Sequence, residues 1–216
     1  LNRVKKLFVS IFLVGLFYSS CAQEKNNIIQ QNLQPISVNE KDVHKAYFAS
    51  GCFWCVEAIY ESLIGVKEVT SGYSGGNTNN PTYGLVNTKL TGHAETIEVV
   101  YDPSEISFSN LLDVYFGSQK IDQINGQGPD MGPQYRSIIF YQNNRQKTLI
   151  ESKIDKIESE KNLKVAAEVY PFRKFWVAEK YHQNFKKNNP NHPYIKNVSD
   201  PRFKNFKFKF EDLIKD

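Results

Sequence analysis

Cysteine, methionine and long apolar runs are all scarce in this chain. Three cysteines in 216 residues exclude a disulfide-built scaffold. At this length a hydrophobic core holds a domain without one, and the length itself fits one domain with short extra segments. The longest apolar run covers residues 7–18, broken by Ser10 and Gly15, and falls short of the ~20 residues that a bilayer-spanning helix needs. Acidic residues are absent from residues 1–20, where Arg3, Lys5 and Lys6 stand. Those three bases supply most of the formal charge of +4; without them 24 basic side chains face 23 acidic ones. A body so nearly neutral gives no electrostatic reason to expect nucleic acid as a partner. No internal repeat is present. With 40% hydrophobic and 23% charged residues, the composition is that of an ordinary globular protein.

The first segment reads as an address. A basic start, the apolar run and the small residues Ser19 and Ser20 have the layout of a secretory signal. Cys21 follows directly, and small residues before a cysteine resemble the processing box of bacterial lipoproteins, although Tyr18 stands where Leu or Val is commoner. The expectation is a signal over residues 1–20, a lipidated Cys21 opening a polar tether over 21–44, and a folded domain over 45–216. The protein would then be exported and held by its lipid on the periplasmic side of a bacterial membrane. Cleavage by ordinary signal peptidase, with an idle Cys21, is the alternative.

In the body, strand and helix patterns alternate, which predicts a layered α/β arrangement with helices packed on a sheet. Strands are expected near 45–49, 66–73, 95–101, 137–141 and 164–169. Helices are expected over 52–63 with Phe53, Val56, Ile59, Tyr60 and Leu63 on one face, over 107–116, from Asn143 or Asn144 through Ile157, and over 175–187. Residues 117–133 hold four glycines and two prolines and read as a long functional loop. In the tail, Phe206, Phe208 and Phe210 alternate with Lys207 and Lys209, a half-buried strand or an adherent coil.

The chemistry concentrates at Gly51-Cys52-Phe53-Trp54-Cys55. This stretch opens a helix directly after a strand, so Cys52 would sit among free backbone N–H groups at the positive helix end, a setting that lowers a thiol pKa. Cys55 lies one turn on, with Cβ atoms ~5–6 Å apart at that spacing, close to the ~3.5–4.5 Å of a disulfide. Taken alone, the pair fits half a zinc site, a structural disulfide or a thioredoxin-like redox couple. The zinc reading lacks partners, since the chain offers only four histidines without paired spacing.

Six blocks separate these readings: GCFWCVE, GYSGG, PTY, GHAE, NGQGPDMGPQYRS and FWVAEKYHQ, in this order. Together they resemble the peptide methionine sulfoxide reductases of the A type, over about residues 45–210. The resemblance implies a two-layer α/β (α+β) sandwich of ferredoxin-like type, with a mixed sheet and flanking helices. It implies that Cys52 attacks the sulfoxide sulfur, that Phe53 and Trp54 wall in the S-methyl group, and that Glu95 is the acid near the oxygen. Tyr83, Asp130, Tyr135 and, more weakly, Tyr194 would line the pocket; His182, read by itself, is a structural helix histidine. The substrate would be methionine-(S)-sulfoxide, free or in oxidised proteins. No metal or bound cofactor is implied, the electrons coming from thioredoxin or a similar dithiol, and a monomer is expected. Isolated from these blocks, each of the acids and tyrosines reads as an ordinary turn, core or surface residue.

The chain departs from the family in its cysteines. Ile195 and Asn87 stand where relatives often carry cysteine, and none follows residue 55. With Cys21 taken by lipid, the resolving role falls to Cys55, as in a GCFWC branch of the family. Gln119-Lys120-Ile121-Asp122 replaces a usual HDPT, and Gly126 and Pro129 replace an Arg and an Asn. The competing function is a thiol–disulfide oxidoreductase using the same two cysteines. The two differ at Glu95, because sulfoxide oxygen needs a proton whereas disulfide exchange needs only a thiolate and a leaving thiol.

Overall fold

A computed structural model describes residues 34–38 and 44–215. The expected signal, the lipidation site Cys21 and most of the tether lie outside the described residues. Among the described residues no helix is long and apolar enough to cross a membrane.

The chain runs through strand β1 (His44–Ser50), helix α1 (Phe53–Glu61), β2 (Val66–Ser74), a short α2 (Tyr83–Asn87), β3 (Ala94–Tyr101) and α3 (Phe108–Gly117). A two-residue hairpin, β4 (Gly126–Gln127) and β5 (Asp130–Met131), precedes β6 (Ser137–Tyr141), α4 (Asn144–Lys161), β7 (Glu168–Pro171) and β8 (Trp176–Val177). Two further helices follow, α5 (Phe185–Asn188) and α6 (Asp200–Lys209). The main sheet has the order β7-β6-β1-β3-β2-β8, with β6 and β7 parallel and the other neighbours antiparallel. Its four central strands, with α1 and α3 as crossovers, are the βαββαβ unit of a ferredoxin-like fold. The mixed sheet with flanking helices is the architecture the family resemblance implies.

Period-two alternation decides which side chains face which layer. Ala46 and Phe48 of β1, Ile97 and Val99 of β3 and Ile139 of β6 pack against Val56, Ile59 and Tyr60 of α1, Leu111, Leu112 and Tyr115 of α3, and Ile150 and Ile157 of α4. The opposite face carries Tyr47, Ala49, Ala94, Ile138 and Phe140 and is covered without a helix, by Phe172, Phe175 and Val38. Tyr47 stacks on Phe172 with ring centroids 3.8 Å apart. Residues 34–38, read in the sequence as tether, lie on this side: Ile36 N–H donates to Phe172 O at 2.8 Å and Val38 N–H to Gln142 Oε1 at 2.9 Å.

Three expectations are corrected. The helix expected over 175–187 is a strand, Trp176–Val177, followed by two short helical turns. It completes the open edge of β2, and Gly72 admits it, since a Cβ there would meet Trp176 O at 2.3 Å. The tail is neither strand nor coil but α6: Phe203, Phe206 and Phe210 follow helical spacing, Phe206 is fully buried, and Phe208 is exposed. The loop 117–133 contains the β4–β5 hairpin.

Candidate active site

Gly51 makes the turn from β1 into α1. Its φ of +77° is open to glycine at no steric cost, and a Cβ would lie 2.5 Å from Cβ of Gln127. Cys52 is the N-cap residue of α1: its carbonyl accepts the N–H of Cys55 at 3.1 Å and of Val56 at 3.4 Å, while its side chain makes no capping bond. The sulfur is therefore not tied to the backbone of the helix end. Both cysteines are reduced and buried, at 6% and 2% exposure.

The helix N-terminus does not set the Cys52 thiol as its position suggests. Burial pushes it up, helped by its hydrogen bond to Cys55. Cys55 moves the other way, down to about 6, held there by the hydrogen bond from Cys52 and, against the cost of burial, by the Arg202 guanidinium. Within the pair the proton is held more tightly at Cys52 than at Cys55.

Glu95 is the second residue of β3, on the face that looks toward α1 together with Ile97 and Val99. It is 2% exposed, and its Oε2 accepts the N–H of Phe53, the first residue of α1, at 3.0 Å. Burial pushes this carboxyl up to about 8, so it holds a proton at neutral pH.

The remaining walls come from separate loops, each tied down by buried polar contacts. Tyr83 opens α2, whose backbone N–H at Tyr83 donates to Glu179 Oε1 at 2.8 Å; Glu179 Oε2 accepts from Tyr73 Oη at 3.0 Å. His93, of the GHAE block, accepts the N–H of Gly76 at Nδ1 (3.1 Å) and meets Thr78 O at Nε2 (2.8 Å), which fixes the 74–78 loop beside Glu95. Tyr135 is followed by Arg136, almost fully buried, whose guanidinium holds Pro133 O, Gly92 O and Glu168 at 2.8–3.0 Å. Asp130 rides on the β4–β5 hairpin, which Gln127 and Gln123 anchor. Gln119, in place of the family's usual histidine block, gathers Ser50 Oγ, Ser137 Oγ and Gln127 Nε2 at 2.8–3.0 Å.

Trp54 stacks face to face on Phe185 at 3.6 Å between centroids, and its indole N–H donates to Nδ1 of His182 at 3.1 Å. That bond makes Nδ1 an acceptor and places the imidazole proton on Nε2; burial holds the ring's pKa down. His182 also packs against Phe53 and Tyr83 with centroids 4.9 and 4.5 Å away. It is the post behind the aromatic wall. Tyr194 donates its hydroxyl proton to Asp130 Oδ2 at 2.5 Å, and the Cys55 sulfur lies 3.7 Å from the same hydroxyl oxygen.

These parts enclose a cavity of about 170 Å³. Eight of the nine residues expected to be catalytic or substrate-binding line it: Cys52, Phe53, Trp54, Tyr83, Glu95, Asp130, Tyr135 and Tyr194. Cys55 does not; it faces a second cavity behind Tyr194. His192 joins the lining, and sequence reasoning passed over it, as it did over Glu179 and Arg202. Among the described residues no group of three or more His, Cys, Asp or Glu is placed to hold a metal ion.

The comparisons agree with this geometry. The sequence profile described as peptide methionine sulfoxide reductase matches residues 44–213. The peptide methionine sulfoxide reductase MsrA of Pasteurella multocida is 44% identical over 171 residues, 79% of this chain and 98% of that one. The protein of the same name from Acidobacterium capsulatum is 48% identical over 143 residues, 65% of this chain and 92% of that one. Among solved structures, methionine sulfoxide reductase A of Corynebacterium diphtheriae superposes with a TM-score of 0.64 at 29% identity, over 74% of this chain and 84% of that one. Reduced Mxr1 of Saccharomyces cerevisiae gives 0.64 and 29% over 73% and 91%. With a profile that spans the whole ordered sheet and relatives matched over nearly their full length, the chain belongs to the peptide methionine sulfoxide reductase family.

Proposed function

We propose that the chain reduces methionine-(S)-sulfoxide, free or within oxidised proteins, to methionine. The observation that carries this reading is one juxtaposition: the Cys52 sulfur and a buried, protonated Glu95 share a small cavity walled by Phe53 and Trp54. A sulfoxide has a strongly polar S–O bond beside an apolar methyl group. The aromatic pair suits the methyl, and Glu95 with Tyr83 and Tyr135 suits the oxygen, which gains negative charge under attack.

In this account the Cys52 sulfur bonds to the sulfoxide sulfur while its proton passes to the Cys55 thiolate. Glu95 gives its proton to the oxygen. The hydroxyl then migrates to Cys52 as the bond between the two sulfurs breaks, so methionine leaves and Cys52 becomes a sulfenic acid. The Cys55 sulfur displaces that hydroxyl, forming the Cys52–Cys55 bond and releasing water. A thioredoxin-like dithiol supplies two electrons and two protons to reopen the bond, so no bound cofactor is needed. Asp130 and Tyr194, as a hydrogen-bonded pair, orient the substrate from the side.

The test is dithiothreitol-driven turnover of separated S and R epimers of a blocked methionine sulfoxide. The reading expects the S epimer to be consumed and the R epimer to persist. No turnover of either, from protein with both thiols titratable, overturns it in favour of disulfide exchange. An exported, lipid-held protein is part of the proposal on the strength of residues 1–21 alone; Cys21→Ala is expected to release the chain from the membrane fraction, and retention there contradicts the lipid anchor.

A further inference from the structure

The two cysteines open to different cavities. Cys52 lines the small one described above, and Cys55 lines a cavity of about 520 Å³. Asp130 and Tyr194 line both, so their 2.5 Å hydrogen bond is the partition between the two spaces. The larger cavity has a marked charge. Lys120, Arg202 and Lys209 line it, and its one acid is Asp130, already engaged with Tyr194. Beside Cys55, the Ser199 hydroxyl is fully buried and is placed to donate to a Cys55 thiolate.

We infer that the larger cavity is the entry port of the reductant: an anionic thiol enters there and attacks Cys55, while the sulfoxide occupies the separate cavity at Cys52. This rests on the reading of Cys52 and Cys55 as the redox pair. The incoming thiolate bonds to Cys55 Sγ, the Cys52–Cys55 bond breaks, and its electron pair leaves on Cys52 Sγ. That sulfur lies at the N-terminus of α1 and next to the Glu95 carboxyl, which, once reprotonated from solvent, can pass a proton to it. A second thiol then attacks the mixed disulfide, releasing an external disulfide and the Cys55 thiolate. The two external thiols supply one electron each. Leaving-group preference alone points to the other sulfur, because the thiol of lower pKa leaves faster. Access opposes it: the space at Cys52 holds little more than a sulfoxide head group, and the space at Cys55 is about three times larger. The division also keeps the dithiol from meeting the sulfoxide site and lets product leave without crossing the reductant's path.

The experiment uses the full chain, oxidised by one turnover of methionine sulfoxide without reductant. The rate of disulfide opening is measured with 3-mercaptopropionate, an anion, and with cysteamine, a cation. The ratio of the two rates is compared between wild type and Lys120→Glu/Lys209→Glu. The anion-to-cation ratio is expected to fall tenfold or more, since reversal of charges lining a cleft acts on association with a charged reagent. A ratio unchanged within twofold overturns the inference. Glutathione added to the oxidised protein and quenched with acid is expected to be found on Cys55; finding it on Cys52 also overturns the inference. The one-equivalent burst of methionine reads the sulfoxide chemistry separately: its absence from wild type defeats the underlying function, and its absence from the double variant alone marks misfolding. In that case Lys120→Gln/Lys209→Gln gives the same comparison, with an expected fall of about threefold and the same overturning result.

Discussion

The backbone N–H of Phe53 donates to Oε2 of Glu95 over 3.0 Å, joining the first turn of α1 to the start of β3 across 42 residues of sequence. This bond fixes the acid beside the nucleophile's helix. It also leaves the carboxyl buried, so the environment that positions Glu95 is the one that keeps it protonated.

Glu95→Gln keeps the shape and an acceptor for Phe53 but removes the transferable proton. Sulfoxide turnover is expected to fall about 10²- to 10⁴-fold, the usual range for loss of a general acid. Exchange of the Cys52–Cys55 disulfide with small thiols should stay within a few fold of wild type. Equal losses in both assays would contradict the role.

The pH profile of sulfoxide turnover is expected to be bell-shaped. Activity should rise through about 6 as Cys55 becomes the thiolate that takes the Cys52 proton. It should fall above about 8 as Glu95 loses the proton it must donate. Steady-state kcat/KM across pH 5 to 10 checks both limbs, and Glu95→Gln should lack the alkaline one.

Cys55→Ser removes both the base and the resolving sulfur. One equivalent of methionine should still form, more slowly at neutral pH than in wild type and faster as pH rises. Cys52 should then stall as a sulfenic acid, detectable by dimedone labelling and mass. Repeated turnover with a protein dithiol is expected to be lost.

Trp54 acts through its ring and through its N–H. Trp54→Phe keeps the ring stack on Phe185 but loses the bond to His182, and KM should rise about threefold, which corresponds to ~0.7 kcal/mol, in the lower part of the range for one neutral hydrogen bond. Trp54→Ala removes the wall and should raise KM about tenfold or more. Parallel kinetics of the two variants separate the contributions.

Glu57 on α1 is buried, its Oε1 has no hydrogen-bond partner, and burial pushes its pKa up to about 7. A folded pKa above the unfolded value means the native state binds the proton more tightly, so the contribution is full at low pH and is lost as pH rises toward 7. Glu57→Gln is therefore expected to come close to wild type near pH 4.5 and to exceed it by roughly 3 kcal/mol at pH 8. Urea denaturation at the two pH values measures this.

Much of the site was legible because its pieces are short and local. The strand-to-helix junction at Gly51–Cys55, the alternation that sends Glu95 to the helix side of β3, and the tyrosines of the PTY and QYRS blocks all read directly from neighbouring residues. What escaped is held by distance. Trp176 and Val177 form a strand because β2 has an open edge and Gly72 lets the backbone close on it, and neither fact is local. The tail misleads because Phe206, Phe208 and Phe210 alternate as in a strand, whereas burial selects Phe203, Phe206 and Phe210. Glu179, His93, Arg136 and Gln119 place the walls through contacts spanning 8 to 106 residues. The Cys52 expectation failed for an energetic reason: the helix end favours a thiolate, but burial and the hydrogen bond to Cys55 push the thiol the other way.

The central claim is that Glu95 carries a proton at neutral pH beside the Cys52 sulfur. The direct measurement is an NMR titration of carboxyl-¹³C-labelled glutamate, with the Glu95 signal assigned by its loss in Glu95→Gln. The account predicts a midpoint near 8. A midpoint near the ordinary value of ~4.3 for glutamate would contradict it and leave the sulfoxide oxygen without its acid.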